Sequence, residues 1–558
     1  MLLYDYLASA FEAEGVDTLF GLMGDGNMFW MTAMAERPGV TVIHARHENA
    51  AVAMADGYAR ATGRVGVATV TCGPGLTQVL TSLTASVRHR TPMVILTGQT
   101  PVEAAFHLQE LEQEPLVRAA GAEFIRVSTV NQALDAVARA FFTARMHRAP
   151  VVLSVPYDLQ ETDQPWTEVI TTSAALVPEQ APLRPSPESA AEIAHLLGAA
   201  TSPVIVAGAG AVRAGCRADI LELAERAGAR VATTLPAKDW FEGEPRDVGL
   251  AGAFASEAAR EIFAGADLVL GVGARMGYYT TEGGYLFPAA RVVQIDTDPA
   301  GYLDGQRVAD SYTRADAAEA VAEILKLMPP RGAARDAPSG RPRPDRADDQ
   351  PDGPAPGTHR PEAAVATIDR ALPKDASITV GVGHFWNYVV PGMTGRGPAS
   401  YHFTYDFGAI GQAVPTAIGV AVARRSAGID TPCAVIEGDG SLLMNVQELE
   451  TIARHDIPLL VIVMNDGAYG AEYHKLAARG ISGEQAVSGR TDLARTARSF
   501  GLRAERCDSD EELRAAVAAF VAEPAPTLVD VPIDHRAVSV QYRRLHYGTG
   551  TVSFGGDE

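Results

Sequence analysis

Cysteine is scarce in this chain. Cys72, Cys216, Cys433 and Cys507 are the only four among 558 residues, widely spaced and without a Cys-x-x-Cys pair. That excludes a disulfide framework and a thiolate zinc site, and predicts small buried residues in a reducing compartment. Basic blocks are absent as well: 47 Lys and Arg stand against 68 Asp and Glu, a net charge of −21. Without clustered cations, neither nucleic acid nor an anionic membrane surface is an expected partner. No apolar run reaches the length of a membrane span, and the N-terminus MLLYDYLASAFEAEG carries acids where a signal peptide carries bases. A cytoplasmic protein is therefore expected.

Such a chain is too long for one core, and its length suggests about three or four domains. Residues 1–165 alternate helical and strand patterns, with DTLFGLMG, VTVIHARHE, VGVATVT and PMVILTG as strands that end in turn signals. Residues 183–328 alternate in the same way (PVIVAGAG, DLVLGVGAR, VVQIDTDP) and read as a Rossmann-like unit. Residues 329–360 contain no aliphatic side chain larger than alanine, so a mobile, partly extended linker is predicted there. A further domain follows over 361–540, then a tail over 541–558 that runs from ordered to frayed. The expected class is α/β, three doubly wound parallel-sheet domains, with ligands at the carboxyl ends of strands. Residues 121–158 and 501–534 share one layout, from Gly through a strand and an Ala-rich helix to Ala-Pro, an apolar strand and Val-Pro-x-Asp. Two copies of a supersecondary unit imply that the first and last domains are related.

The chemistry concentrates in EGDGSLLMNVQELETIARHDIPLLVIVMNDGAYG, residues 437–470. A short apolar strand delivers Gly438-Asp439-Gly440-Ser441 to a sheet edge, where glycines permit close approach to an anion. A helix is predicted over about 445–455, and a second strand returns Asn465 to the same edge, as in a parallel βαβ unit. Asp439, the Asn465 amide oxygen and a carbonyl near Gly467 form half of an octahedral Mg²⁺ shell, which phosphate oxygens and water usually complete. The pattern asks for a diphosphate.

GDG followed some two dozen residues later by Asn465 resembles the signature of the thiamine diphosphate (ThDP) enzymes, with Asp466 where the family carries a second Asn. The likeness covers nearly the whole chain in the order pyrimidine-binding, central and diphosphate-binding domain. It looks most like the superfamily of acetolactate synthase, pyruvate oxidase and pyruvate decarboxylase. It implies that Glu48, in the RHE context, shares a proton with N1′ of the cofactor's aminopyrimidine. It also implies that Gly408 and Ile410 hold and bend the cofactor, and that Gly383, His384 and Phe385 surround its outer phosphate. Gly73, in a GPG loop, would line the substrate face beside Asp25, which lies in a GDxN-like turn. His107 and Gln109 occupy the loop where synthases carry Phe-Gln-Glu, and Tyr469 and Glu472 resemble the segment whose glutamate meets the substrate carboxylate in decarboxylases.

The activity so implied is Mg²⁺- and ThDP-dependent decarboxylation of a 2-oxo acid, with the acyl carbanion joined to a second carbonyl compound. Simple decarboxylation to an aldehyde, an FAD-linked oxidase and a silent homologue are the alternatives. The central domain binds FAD or ADP in some relatives; the irregular spacing of GAGAVRAG (208–215) favours a structural role here. A homodimer or homotetramer is implied, with Glu48 and the GDG motif meeting across the subunit interface.

Overall fold

The computed structural model describes residues 1–102, 104–163, 170–298, 302–303, 306–329 and 354–547. Most of the expected linker and the last residues of the expected tail lie outside the described residues. Three six-stranded sheets are present, and every pairing within them is parallel. In the first domain β1 (Thr18–Gly21), β2 (Thr41–His44), β3 (Gly66–Val70), β4 (Met93–Gln99), β5 (Glu123–Arg126) and β6 (Pro150–Pro156) are ordered β2-β1-β3-β4-β6-β5. Central strands β7 (Pro203–Ala207), β8 (Arg230–Thr233), β9 (Asp247–Leu250), β10 (Leu268–Val272) and β11 (Arg291–Asp296) precede a small hairpin, β12 (Tyr302–Leu303) and β13 (Gln306–Arg307). With β14 (Ser311–Arg314) they are ordered β14-β11-β10-β7-β8-β9, a doubly wound sheet that reverses between β7 and β10.

In the third domain β15 (Ser377–Val380), β16 (Tyr401–Phe403), β17 (Cys433–Gly438), β18 (Leu459–Asn465), β19 (Arg503–Arg506) and β20 (Thr527–Pro532) are ordered β16-β15-β17-β18-β20-β19. That is the strand order of the first domain. The repeated sequence segments become β5 and β6 around helix Ala133–His147, and β19 and β20 around helix Asp510–Ala522. Strands such as LLVIVMN are buried at every residue because helices cover both faces, which is why they read as unbroken apolar runs.

First and third domains share one core. Helix Glu48–Thr62 crosses helix Ala413–Ser426, and a Cβ at Gly57 would lie 2.0 Å from the Thr416 carbonyl while one at Gly419 would lie 1.9 Å from that of Met54. Glycine is required at both positions for the backbones to approach. The buried cluster around this crossing runs from Phe20 and Ile95 to Val435 and Val461. All four cysteines are buried and free. Among the described residues, no helix is long and apolar enough to cross a membrane.

One expectation is corrected. The chain turns helical at Asp439 itself (Asp439–Leu443), and the following helix is confined to Glu448–Arg454 instead of starting near 445. The tail begins with an ordered helix, Val540–His546, in which Arg544 is only 2% exposed. That guanidinium donates to the Ala253 carbonyl (2.8 Å) and meets Glu257 and the buried Glu282 of the central domain, while Glu282 also pairs with Arg260. Lengthwise registry with the central domain, invisible in local sequence, holds this helix in place.

Candidate active site

The pairing of Gly438 with Met464 sets the ends of β17 and β18 level, so Asp439 and Asn465 emerge side by side at the carboxyl edge. Asp439 is 3% exposed and Asn465 fully buried. Asn465 Nδ2 donates to Asp530 Oδ1 on β20 at 2.8 Å, which fixes the amide orientation and leaves Asn465 Oδ1 buried without a partner. Burial pushes the Asp530 carboxyl up to about 6. Asp466 lies within hydrogen-bonding reach of Asp439, and burial together with the Asp439 charge drives its pKa well above the usual carboxylate range; burial raises Asp439 also. A buried and a half-buried carboxylate with an orphaned amide oxygen are a donor set that a hard divalent cation would satisfy.

The Gly467 carbonyl, expected as a metal ligand, is engaged otherwise: it accepts from Ser488 N (2.9 Å), Ser488 Oγ (3.1 Å) and Gly489 N (3.0 Å). Its left-handed backbone (φ +67°) turns that oxygen to the 488–489 turn, while the Asp466 carboxylate lies within hydrogen-bonding reach of Asp439. Ser441 Oγ accepts the Gly411 N–H at 2.6 Å and Asn445 Nδ2 donates to the Gly411 carbonyl at 2.5 Å. These two bonds bring Gly408 (φ +67°, exposed) and the half-buried Ile410 to the motif.

His384 and Phe385, expected around the outer phosphate, are both buried. The Phe385 ring packs against Gly383 and Gly438, where added Cβ atoms would lie 2.8 and 3.1 Å away, so it contributes shape and no side-chain donor. His384 turns Nε2 to accept the Ser539 N–H (3.3 Å) and stacks among His474 and Tyr542; burial, then the neighbouring His474 charge, holds it neutral. Tyr469 is half-exposed, its ring 3.1 Å from the Cβ position of Gly440. Glu472, in the first turn of helix Gly470–Ala478, is exposed and pairs with Lys475 at 3.6 Å.

At the carboxyl edge of the first sheet the expected substrate residues gather. Asp25 is exposed on the turn after β1; its charge reaches the Cys72 thiol, and Gly26 N donates to Thr71 Oγ1 at 3.1 Å. Cys72 Sγ lies 3.3 Å from Gln109 Oε1, and an added Cβ at Gly73 (φ +60°) would lie 2.3 Å from the Gln109 carbonyl. His107 Nε2 sits 3.1 Å from the Tyr157 hydroxyl. Sequence reasoning missed Gln113, which is 1% exposed, accepts the Gly73 N–H (3.1 Å) and donates to Gln99 Oε1 (2.7 Å). It also missed Asn445 and Asp530, whose partners are remote in sequence. Glu48 does not close β2: that strand stops at His44, and Glu48 opens its helix with His47 as the cap. It is half-buried, and among the described residues its carboxylate has no hydrogen-bond partner.

Comparison with known proteins agrees with this division. Models of the thiamine pyrophosphate enzymes match in three pieces: the N-terminal TPP binding domain over residues 1–116, the central domain over 190–324 and the C-terminal TPP binding domain over 381–531. The chain is 30% identical to an acetolactate synthase large subunit of Parasynechococcus marenigrum over 543 residues, covering 94% of this chain and 86% of that one. It is 29% identical to an acetolactate synthase of Arthrospira platensis, covering 94% and 93%. The benzoylformate decarboxylase of Polynucleobacter necessarius shares the fold with a TM-score of 0.80, at 19% identity and with 97% and 100% coverage.

Proposed function

We propose, from the premise that this chain belongs to the thiamine pyrophosphate enzyme family, that it decarboxylates a 2-oxo acid and joins the acyl unit to a second carbonyl compound. The observation that carries the carboligase reading is the near end-to-end likeness to acetolactate synthases. When bound, the ThDP thiazolium supplies the electron sink that such a decarboxylation requires. Asp439, Asn465 and Asp466 would hold Mg²⁺ and so anchor the diphosphate, while Gly438 and Gly440 let the backbone come close. Gly408 and Ile410 would orient the aminopyrimidine. Glu48 would hold the proton at N1′ from across the interface of a homodimer or homotetramer, since its carboxylate has no hydrogen-bond partner among the described residues. Asp25, Gly73, His107 and Gln109 would face the substrate. The presence of Asp25, exposed at that edge, favours protonation of the acyl unit as the second reading.

Purified protein with ThDP, Mg²⁺ and a panel of 2-oxo acids tests this directly. Carboligation predicts CO₂ release with less than one free aldehyde per CO₂ and a new hydroxyketone or hydroxy acid. Stoichiometric aldehyde moves the assignment to simple decarboxylation, and oxygen consumption to an oxidase. Retained ThDP with no CO₂ from any substrate overturns both readings.

A further inference from the structure

Glu448 follows the metal motif in sequence, but its side chain turns to the first domain. It is fully buried, and its carboxylate accepts the Arg46 N–H (3.1 Å to Oε1, 3.3 Å to Oε2) and the backbone N–H of His47. Thr451 Oγ1 donates to the same carboxylate at 2.7 Å. The two captured N–H groups belong to the residues immediately before Glu48. Around them, His455 Nε2 accepts the His44 N–H at 3.1 Å, Arg454 donates to the His44 carbonyl at 2.5 Å, and Arg46 Nε meets Glu450 at 2.6 Å. The Arg46–Glu450 pair is exposed and contributes little. The buried carboxylate is the contact whose loss would strand two backbone donors.

We infer that Glu448 is a positioning residue for Glu48. It clamps the chain between the end of β2 and the first helical turn, so the Glu48 carboxylate is presented at one place although, among the described residues, no hydrogen bond holds its own oxygens. His47 completes the arrangement on the other side, its Nδ1 accepting the Asn49 N–H at 3.1 Å. Glu448 touches neither cofactor nor substrate in this role; it acts through the backbone of Arg46 and His47. The inference rests on the ThDP reading and adds that the third domain, which carries the metal motif, also sets the proton-handling group of the first.

The test uses Glu448→Gln, which keeps the size and one acceptor, and Glu448→Ala, which removes both. Three readouts are taken: amide hydrogen exchange over residues 44–50 in the cofactor-free protein, ThDP affinity by calorimetry with Mg²⁺, and C2 proton exchange of bound ThDP after acid quench. The expected result is faster amide exchange at 44–50 and nearly unchanged affinity. C2 exchange should slow by about 10- to 100-fold, the scale of an ångström-sized misplacement, with Ala worse than Gln. C2 exchange at the wild-type rate in both variants overturns the inference, as does unchanged amide exchange at 44–50. Should Glu448→Ala not fold, Glu448→Gln carries the same decision. Glu48→Gln is the control: if it too exchanges C2 at the wild-type rate, the assignment of Glu48 fails, and that failure is distinct from a failure of the clamp.

Discussion

At the scale of single residues, the proposed metal donor set depends on which way one amide points. Asn465 presents its oxygen because Asp530 takes its nitrogen. Asp530→Ala should therefore leave the fold intact and weaken Mg²⁺-dependent ThDP binding by roughly 10- to 100-fold, the usual cost of removing a group that orients a metal ligand. Calorimetry at fixed ThDP with varied Mg²⁺ measures this, and an unchanged affinity would mean that the amide orients itself. The side-by-side placement of Asp439 and Asn465 was legible in the sequence because their spacing along one βαβ unit is a local property. Asp530, Gln113, Asn445 and Glu448 were not, since each is defined by a partner on another strand or loop. For His384 and Phe385, burial among His474, Tyr542, Gly383 and Gly438 decides what they can offer, and no local sequence pattern shows those neighbours.

Among elements, strands were read well and helix starts poorly. A strand such as MVILTGQ announces itself by continuous burial, whereas the turn into helix at Asp439 has no apolar period to reveal it. The crossing of Glu48–Thr62 with Ala413–Ser426 was not foreseen, since two glycines in Ala-rich helices look like weak helix formers until the facing backbones are seen. Gly57→Ala should destabilise the protein by about 1–3 kcal/mol, the range for overpacking, because its Cβ would collide with a carbonyl that cannot rotate aside. Thermal melting would register the loss. An unchanged melting temperature would show that the two helices slide apart freely.

For the whole molecule, the C-terminal helix ties the third domain to the second through the Arg260, Glu282 and Arg544 cluster. Arg544→Ala leaves Glu282 with one cationic partner, so the expected loss stays below the ~3–5 kcal/mol typical of breaking a buried pair outright. Hydrogen exchange should rise over 540–546 and stay unchanged over 48–62. A uniform rise would mean that the cluster stabilises the chain globally and does not act as a local latch. Three domains and their order were legible because each is a self-contained run of alternating elements, while the contacts between them are set by side chains whose partners no local pattern names.

The shared strand order of the first and third domains, meeting through glycines at reciprocal positions, has a historical reading. Two like modules that touch through like helices reproduce the geometry of an ancestral symmetric pair, now carried on one polypeptide. Gene duplication followed by fusion would free each copy to specialise. One copy carries a carboxylate at the start of its crossing helix, the other carries Asp439 and Asn465 at the ends of its central strands, and neither can be swapped for the other despite a common plan.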